Sequence, residues 1–87
     1  MPANRNVMTA VREMIANNPD ASKAMAAMRL RGMRRKDAEE EIARALLGCM
    51  WEASRNMPDR WPSVIAALEQ GRSAEELFPD DFYRDGP

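Results

Sequence analysis

The sequence predicts an all-α fold: a small bundle of about four short helices followed by a short helical turn near the C-terminus. Apolar residues recur at a spacing of three or four positions in successive segments, which is the period of an amphipathic helix. Ala, Met and Leu supply most of the apolar side chains, whereas the β-branched Val and Ile typical of sheets are few. Residues that begin or end helices lie between these segments.

The first helix is predicted from about Asn6 to Asn17, and Pro19 separates it from the second. The residue before a proline avoids the helical conformation, whereas proline itself is tolerated in a first turn. Asn18 is therefore the predicted N-cap of the second helix, and Gly32 is the predicted residue after its end. The apolar residues predicted to face the core in the two helices are Val7, Val11, Met14, Ile15, Ala21, Ala24, Met25 and Met28.

The third helix is predicted from Ala38 to about Asn56, with Asp37 as N-cap and Glu40 completing a capping box. Its predicted core face consists of Ile42, Leu46, Cys49, Met50 and Ala53, widened by Leu47 and Trp51. A stripe this broad is typical of a central helix that contacts neighbours on two sides. Gly48 within it predicts the close approach of another helix, because glycine is otherwise unfavourable there.

The fourth helix follows Asp59, its predicted cap, and ends at Gly71. Its apolar stripe consists of Trp61, Val64, Ile65 and Leu68. Ser73 and Glu76 then have the spacing of a capping box, which predicts a short helical turn up to Phe78.

We predict a single domain over residues 1–87, with a helical core over about 6–78. The acidic and aromatic tail 79–87 is expected to be loosely ordered unless Phe78 or Phe82 docks. The layout of short capped helices is similar to that of many small bacterial proteins, but no motif in it identifies a family.

The charge of the chain divides at the predicted turn between the second and third helices. Residues 1–36 carry eight Arg or Lys and two acids, and residues 37–87 carry five Arg and twelve acids. The net charges are therefore +6 and −7, which sum to the −1 of the whole chain. Such asymmetry favours charged partners or self-association and says nothing about the fold.

The composition argues against an enzyme. The chain contains no His and a single Cys49, which excludes imidazole bases, Cys-His pairs and thiolate zinc sites. No cofactor or metal site is predicted, and the adjacent acids Glu39, Glu40 and Glu41 are expected to form a solvated face because neighbouring helical positions splay apart. Cys49 is expected to be inert core, and the lone cysteine indicates a reducing cytoplasm. We expect no signal peptide and no membrane span.

Two sets of residues are candidates for partner binding: the basic cluster of Arg29, Arg31, Arg34, Arg35 and Lys36, and the pair Leu47 and Trp51. The basic cluster can bind phosphates, but a recognition helix beginning with acids would repel nucleic acid, so local pairing with those acids is the simpler interpretation. Leu47 and Trp51 lie one turn apart and predict a self-association patch, although Trp51 fits the core equally well. Most methionines, including Met14, Met25, Met28 and Met50, fit ordinary core filling.

From these patterns we expect a non-enzymatic accessory protein whose partner is another protein or a second copy of itself. The partner surface would combine the basic turn with the exposed side of the third helix. The alternative is a nucleic-acid-associated protein that uses the basic segment Arg29–Lys36.

Overall fold

The computed structural model describes residues 5–78, apart from the side chains of Arg5 and Val7. Within this range the chain is all-α, which confirms the predicted fold class. The helices are α1 (Arg5–Asn17), α2 (Pro19–Leu30), α3 (Arg35–Ser54), α4 (Trp61–Glu69) and α5 (Ala74–Leu77). The tail 79–87, and with it the docking of Phe82, lies outside the described residues. None of these helices combines the length and the apolar character that crossing a membrane requires.

The helix ends follow the sequence closely. The side chain of Asn18 accepts hydrogen bonds from the amides of Asp20 at 2.9 Å and Ala21 at 3.2 Å, as expected of an N-cap. Gly32 adopts a φ of 94°, and the Met33 amide donates back to the Met28 carbonyl at 3.2 Å. The same C-terminal motif ends α3 and α4, where Asn56 and Gly71 have φ values of 60° and 102°.

The predicted N-cap of α3 is wrong. The helix begins at Arg35, and the boundary residue is Arg34, whose carbonyl accepts the Ala38 amide at 2.9 Å. The Asp37 carboxylate binds the Arg34 guanidinium at 3.2 Å instead of capping backbone amides. Opposite charges three positions apart on a helix are close enough to pair, and this pairing replaces the predicted cap.

The fourth helix is predicted more closely. The carboxylate of Asp59 accepts the Trp61 amide at 2.9 Å, although the N-cap residue of α4 is Arg60, one position after the predicted cap. At the start of α5, the Ser73 hydroxyl accepts the Glu76 amide at 3.2 Å, and the Glu41 carboxylate accepts the Ala74 amide. The contact with Glu41 attaches α5 to α3.

The core is thin and rich in alanine. Helix α3 is central, since it contacts α1, α2, α4 and α5, and α4 packs mainly against α2. The largest fully buried side chains are Ile42, Leu68, Val11 and Val64, and much of the remaining core is alanine. Alanine lets helices approach closely but removes little apolar area from water, so we expect modest stability.

The predicted core face of α3 is partly wrong. Ile42 is buried and Leu46 and Cys49 are half-buried, but Met50 is 57% exposed and Ala53 is also exposed. The buried positions instead include Ala38, Glu39, Ala43, Ala45, Gly48 and Glu52. The face was misassigned because two of its members are glutamates, which a hydrophobic pattern places in solvent.

Candidate functional site

Arg31, a member of the predicted basic cluster, contacts another helix rather than solvent alone. Its guanidinium donates to the carbonyl oxygens of Leu68, at 3.5 Å, and Glu69 at the C-terminal end of α4. A cation there complements the negative end of the helix dipole. A Cβ atom at position 71 would lie 3.3 Å from Cζ of Arg31, so Gly71 leaves space for this contact.

The other members of the basic cluster are exposed, and two of them pair locally as the sequence indicated. Arg34 binds Asp37, and Nε of Arg35 lies 3.6 Å from Oε2 of Glu39. Arg29 and Lys36 are exposed and form no ion pair with the described residues. The cluster is therefore divided between structural contacts and unpaired charge.

A cleft of about 250 Å³ lies where α1, α2 and α3 meet. Arg12 from α1, Arg29 from α2 and Arg35 from α3 line it, together with the acid Glu39. Ile15 and Met25 complete the lining with apolar surface. Three guanidinium groups against one carboxylate leave the cleft with a local charge of about +2 at neutral pH.

Glu39 positions two of the three arginines. The residue is only 5% exposed, its Oε1 lies 3.4 Å from Nε of Arg12, and its Oε2 faces Nε of Arg35. The prediction that the adjacent acids form a solvated face is therefore wrong for Glu39. It is also wrong for Glu41, which is half-buried and caps α5. Burial of Glu39 is tolerated because a cation faces each of its oxygens.

The terminal nitrogens of Arg12 and Arg35 remain available in the cleft. Each residue approaches Glu39 most closely through Nε, and no hydrogen bond from their Nη atoms is found within residues 5–78. A guanidinium has five N–H donors in a planar fork that matches a carboxylate or a phosphate. The cleft thus presents oriented donors that are suited to an anion.

The cleft was not predicted, and Arg12 was not a candidate. Arg12 lies 27 residues from Glu39 along the chain, so no local spacing connects them. The one available signal was the position of Glu39 three residues before the core residue Ile42, a spacing that places both on one side of a helix.

The opposite end of α3 holds a second buried glutamate in a closed arrangement. Arg60 donates from Nε to Oε1 of Glu52 at 3.0 Å and from Nη2 to Oε2 at 2.7 Å. This bidentate bond raises the pKa of Arg60 above its ordinary value. The guanidinium also lies over the Phe78 ring, at 4.8 Å from its centroid. Phe78, which is 6% exposed, packs against Gly48 so closely that a Cβ there would lie 2.7 Å from the ring.

The predicted close approach at Gly48 therefore exists, but the neighbour is an aromatic ring after α5 rather than a helix. Cys49 next to it is half-buried, and burial together with the charge of Glu52 raises the pKa of its thiol to about 11. A thiol with such a high pKa is a poor nucleophile at neutral pH, and the inert role of Cys49 stays a prediction.

Leu47 and Trp51 lie on the solvent side of α3. Trp51 is 37% exposed, Leu47 is half-buried, and the Arg55 guanidinium lies 4.5 Å from the centroid of the Trp51 ring. A rise of about 1.5 Å per residue puts Arg35 and Trp51 about 24 Å apart along the axis of α3. The two predicted sets of binding residues thus occupy different ends of the molecule.

No protein-family model, curated protein or solved structure matches this chain. Within residues 5–78, no group of three potential metal-ligating side chains converges. The binding properties of the chain are therefore inferred from its own surfaces.

Proposed function

We propose that this chain is a small, non-enzymatic interaction module that binds an acidic protein segment in the cleft between α1, α2 and α3. One observation carries the proposal: Arg12, Arg29 and Arg35 come from three different helices and line one cleft. Because each arginine is held by a different helix, the folded state brings together donors that are distant in sequence.

The chemistry of the cleft favours carboxylate ligands. Glu39 approaches Arg12 and Arg35 most closely through Nε, so their Nη donors can bind a second carboxylate without displacing the first. Arg29 has no ion pair within the described residues and adds a third guanidinium. The orientation by Glu39 lowers the entropic cost of fixing two flexible side chains on binding.

The apolar part of the cleft favours a protein ligand. Ile15 and Met25 are half-buried and line the cleft beside the arginines. An acidic segment that carries one aliphatic side chain can place its carboxylates on the guanidinium groups and its aliphatic group on this floor. Methionine is suited to such a floor because its flexible side chain adapts to different shapes.

Nucleic acid is the second candidate, and it is favoured by the charges of Arg29 and Lys36, which form no ion pair with any described residue. Two observations support an acidic protein segment over nucleic acid. Among residues 5–78, no aromatic side chain lines the cleft to stack a base, and Asp37 and Glu40 on the same end of α3 repel phosphates. The lone Cys49 and the absence of His support a non-catalytic role in a reducing cytoplasm as part of the same proposal.

The test is fluorescence anisotropy with three labelled probes: a peptide of alternating Glu and Leu, a Gln and Leu peptide of the same length, and an oligouridine of the same charge. We expect the acidic peptide to bind most tightly and its affinity to fall as salt increases. Arg29→Glu is the decisive variant, because Arg29 lines the cleft without stabilising the fold through an ion pair. It should weaken binding at least about tenfold.

Lys23→Glu is the matched control. Lys23 is exposed on the same helix, makes no ion pair within the described residues and does not line the cleft, and its variant changes the charge by the same amount. It should change the affinity less than about threefold. Equal losses in the two variants would show binding by net charge alone, and tighter binding of oligouridine would establish the second candidate instead.

A further inference from the structure

The turn between α2 and α3 carries a protruding leucine. Leu30, the last residue of α2, is 89% exposed, the largest exposed fraction among the described large apolar side chains. A Cβ atom placed on Gly32, two positions later, would have only its chain neighbours within 4 Å. The described residues therefore leave this turn open to solvent, with Leu30 at its start.

Cations accompany Leu30 in this turn. We call residues 29–36 the cationic turn, because the segment has no acid and five cations: Arg29, Arg31, Arg34, Arg35 and Lys36. The Arg34 side chain is 86% exposed. Lys36 is exposed and forms no ion pair with any described residue. The leucine is thus surrounded along the chain by positive charge that reaches solvent.

Acids beside the cationic turn lower its charge without cancelling it. Asp37 binds Arg34, and the half-buried Glu69 lies at the end of α4 that Arg31 contacts. Five cations against these two acids leave a local charge of about +3 at neutral pH. The acids at positions 39 and 40 do not change this balance, because each has a cation from outside the turn within ion-pair distance.

We propose that the cationic turn docks on the surface of an anionic lipid bilayer, with Leu30 inserted among the headgroups. A bilayer accepts a single protruding aliphatic side chain without a preformed pocket, and anionic headgroups attract the cations around it. A protein interface depends instead on a packed cluster of apolar side chains. The other exposed large apolar side chains of the described residues, Met50, Trp51 and Met57, are at least 20 positions from Leu30 along the chain.

The charge segregation of the chain favours one orientation on such a surface. Residues 1–36 carry a net charge of +6 and residues 37–87 a net charge of −7. An anionic surface attracts the first segment and repels the second, so the chain approaches it with the cationic turn. The docking surface is distinct from the cleft, because Leu30, Arg34 and Lys36 do not line the cleft.

Co-sedimentation of the full chain with lipid vesicles tests the docking. One set of vesicles is phosphatidylcholine alone, and the other contains about 30% phosphatidylglycerol to give an anionic surface. We expect the chain to bind the anionic vesicles at least about tenfold more tightly, and this affinity to fall as salt increases. Equal binding to both sets, or no binding to the anionic vesicles, overturns the proposal.

Leu30→Ser separates insertion from attraction by charge. The position is 89% exposed, so the fold should be retained, which urea unfolding checks. The variant should weaken binding to anionic vesicles at least about fivefold, because it removes the apolar group that inserts. It should leave the binding of the acidic peptide and of oligouridine unchanged. Unchanged vesicle binding, or an equal loss with a soluble ligand, overturns the insertion of Leu30.

Lys36→Gln tests the contribution of charge. It should weaken vesicle binding about fivefold, since each cation near an anionic surface contributes about that factor. Lys23→Gln is the matched control: Lys23 is exposed, forms no ion pair with the described residues and lies on α2 about 10 Å before Leu30 along the helix axis. It should weaken binding less than about twofold. Equal losses in the two variants would contradict docking through the cationic turn.

A fluorescent label provides an independent readout of the orientation. In a Cys49→Ala background, Leu30→Cys labelled with an environment-sensitive dye should brighten and shift to shorter wavelength on anionic vesicles, because the dye leaves water. Met50→Cys with the same dye is the control, since Met50 is also exposed but lies about 21 Å from Lys36 along the axis of α3. An equal change at both positions contradicts the proposed orientation. Loss of vesicle binding with peptide binding retained removes this proposal alone.

Discussion

The two ends of α3 each bury a glutamate, yet the two carboxylates are satisfied in opposite ways. Glu52 forms a bidentate bond with Arg60 at 2.7 and 3.0 Å. The shortest distances from Glu39 are 3.4 Å to Nε of Arg12 and 3.6 Å to Nε of Arg35. The exposed fraction of the arginine side chain is 40% at the first end, and 58% and 77% at the second.

This difference distinguishes a closed ion pair from the open one at which we propose a binding site. The Arg60 guanidinium uses its donors on Glu52 and on the Leu77 carbonyl, and its face covers Phe78. Arg12 and Arg35 retain their terminal donors toward a solvent-accessible cleft. Buried acids on one helix can therefore leave their arginine partners with few or with several donors for other contacts.

Removing Arg60, the cation that binds Glu52 at what we call the closed end of α3, should give the largest loss of stability. Arg60→Ala leaves the Glu52 carboxylate, 9% exposed, without its partner. The free energy of unfolding should fall by about 3 kcal/mol, which is about 150-fold in the folding constant. This is the lower end of the range for a broken buried ion pair, because Arg60 is partly exposed. Urea unfolding measures it. Arg72→Ala, which breaks an exposed pair with Glu76, is the control, and an equal loss in both would contradict the distinction between the ends.

The reactivity of the Cys49 thiol measures how strongly the closed end is buried. Its thiol pKa of about 11, against an ordinary value of 9.0, predicts alkylation by iodoacetamide about 100-fold slower at pH 8 than in the unfolded chain. Since the unfolded thiol ionises first, the free energy of unfolding should fall as the pH rises from about 9 to about 11. Cys49→Ala should remove that part of the pH dependence. Fast alkylation of the folded chain at pH 8 would disprove the raised pKa.

Gly48→Ala tests how tightly the closed end is filled. A methyl group there would lie 2.7 Å from the Phe78 ring, so the ring must move. Overpacking should outweigh the gain in helix propensity, for a net loss of about 1 kcal/mol, or about fivefold in the folding constant. In a Phe78→Leu background the loss should disappear. Thermal unfolding of the wild type, the two single variants and the double variant completes this double-mutant cycle. A loss that persists there would implicate contacts other than the ring.

A change at the open end of α3, around Glu39, should affect the stability of the fold least. Glu39→Gln should cost less than about 1 kcal/mol in urea unfolding, because both arginines reach water when the carboxylate is removed. The same variant releases Arg12 and Arg35 and should alter binding of the acidic peptide. A loss as large as that of Arg60→Ala would show that both ends are structural and would remove the basis of the comparison.

Local features of this fold were predictable from the sequence. The helices, the Asn18 cap and the turn at Gly32 depend on hydrogen bonds between residues a few positions apart, so the residue types suffice. The start of α3 was misassigned because Asp37 had two local partners, backbone amides and the Arg34 side chain, and the side chain prevailed. The local sequence pattern does not show which of these two partners the Asp37 carboxylate binds.

The cleft and the buried acids depend on contacts between distant residues. Glu39 and Arg12 are 27 positions apart, and Arg31 and the Leu68 carbonyl 37 positions apart. Such contacts form only when the helices pack, and packing also decided which face of α3 is buried.

By itself, the sequence determined an all-α chain with defined helix ends and charge segregated between its two halves. Tertiary structure alone decided which charges are buried and which remain free. The physical reason is that caps and turns satisfy backbone groups within one segment, whereas a buried carboxylate requires cations that only another segment can bring to it.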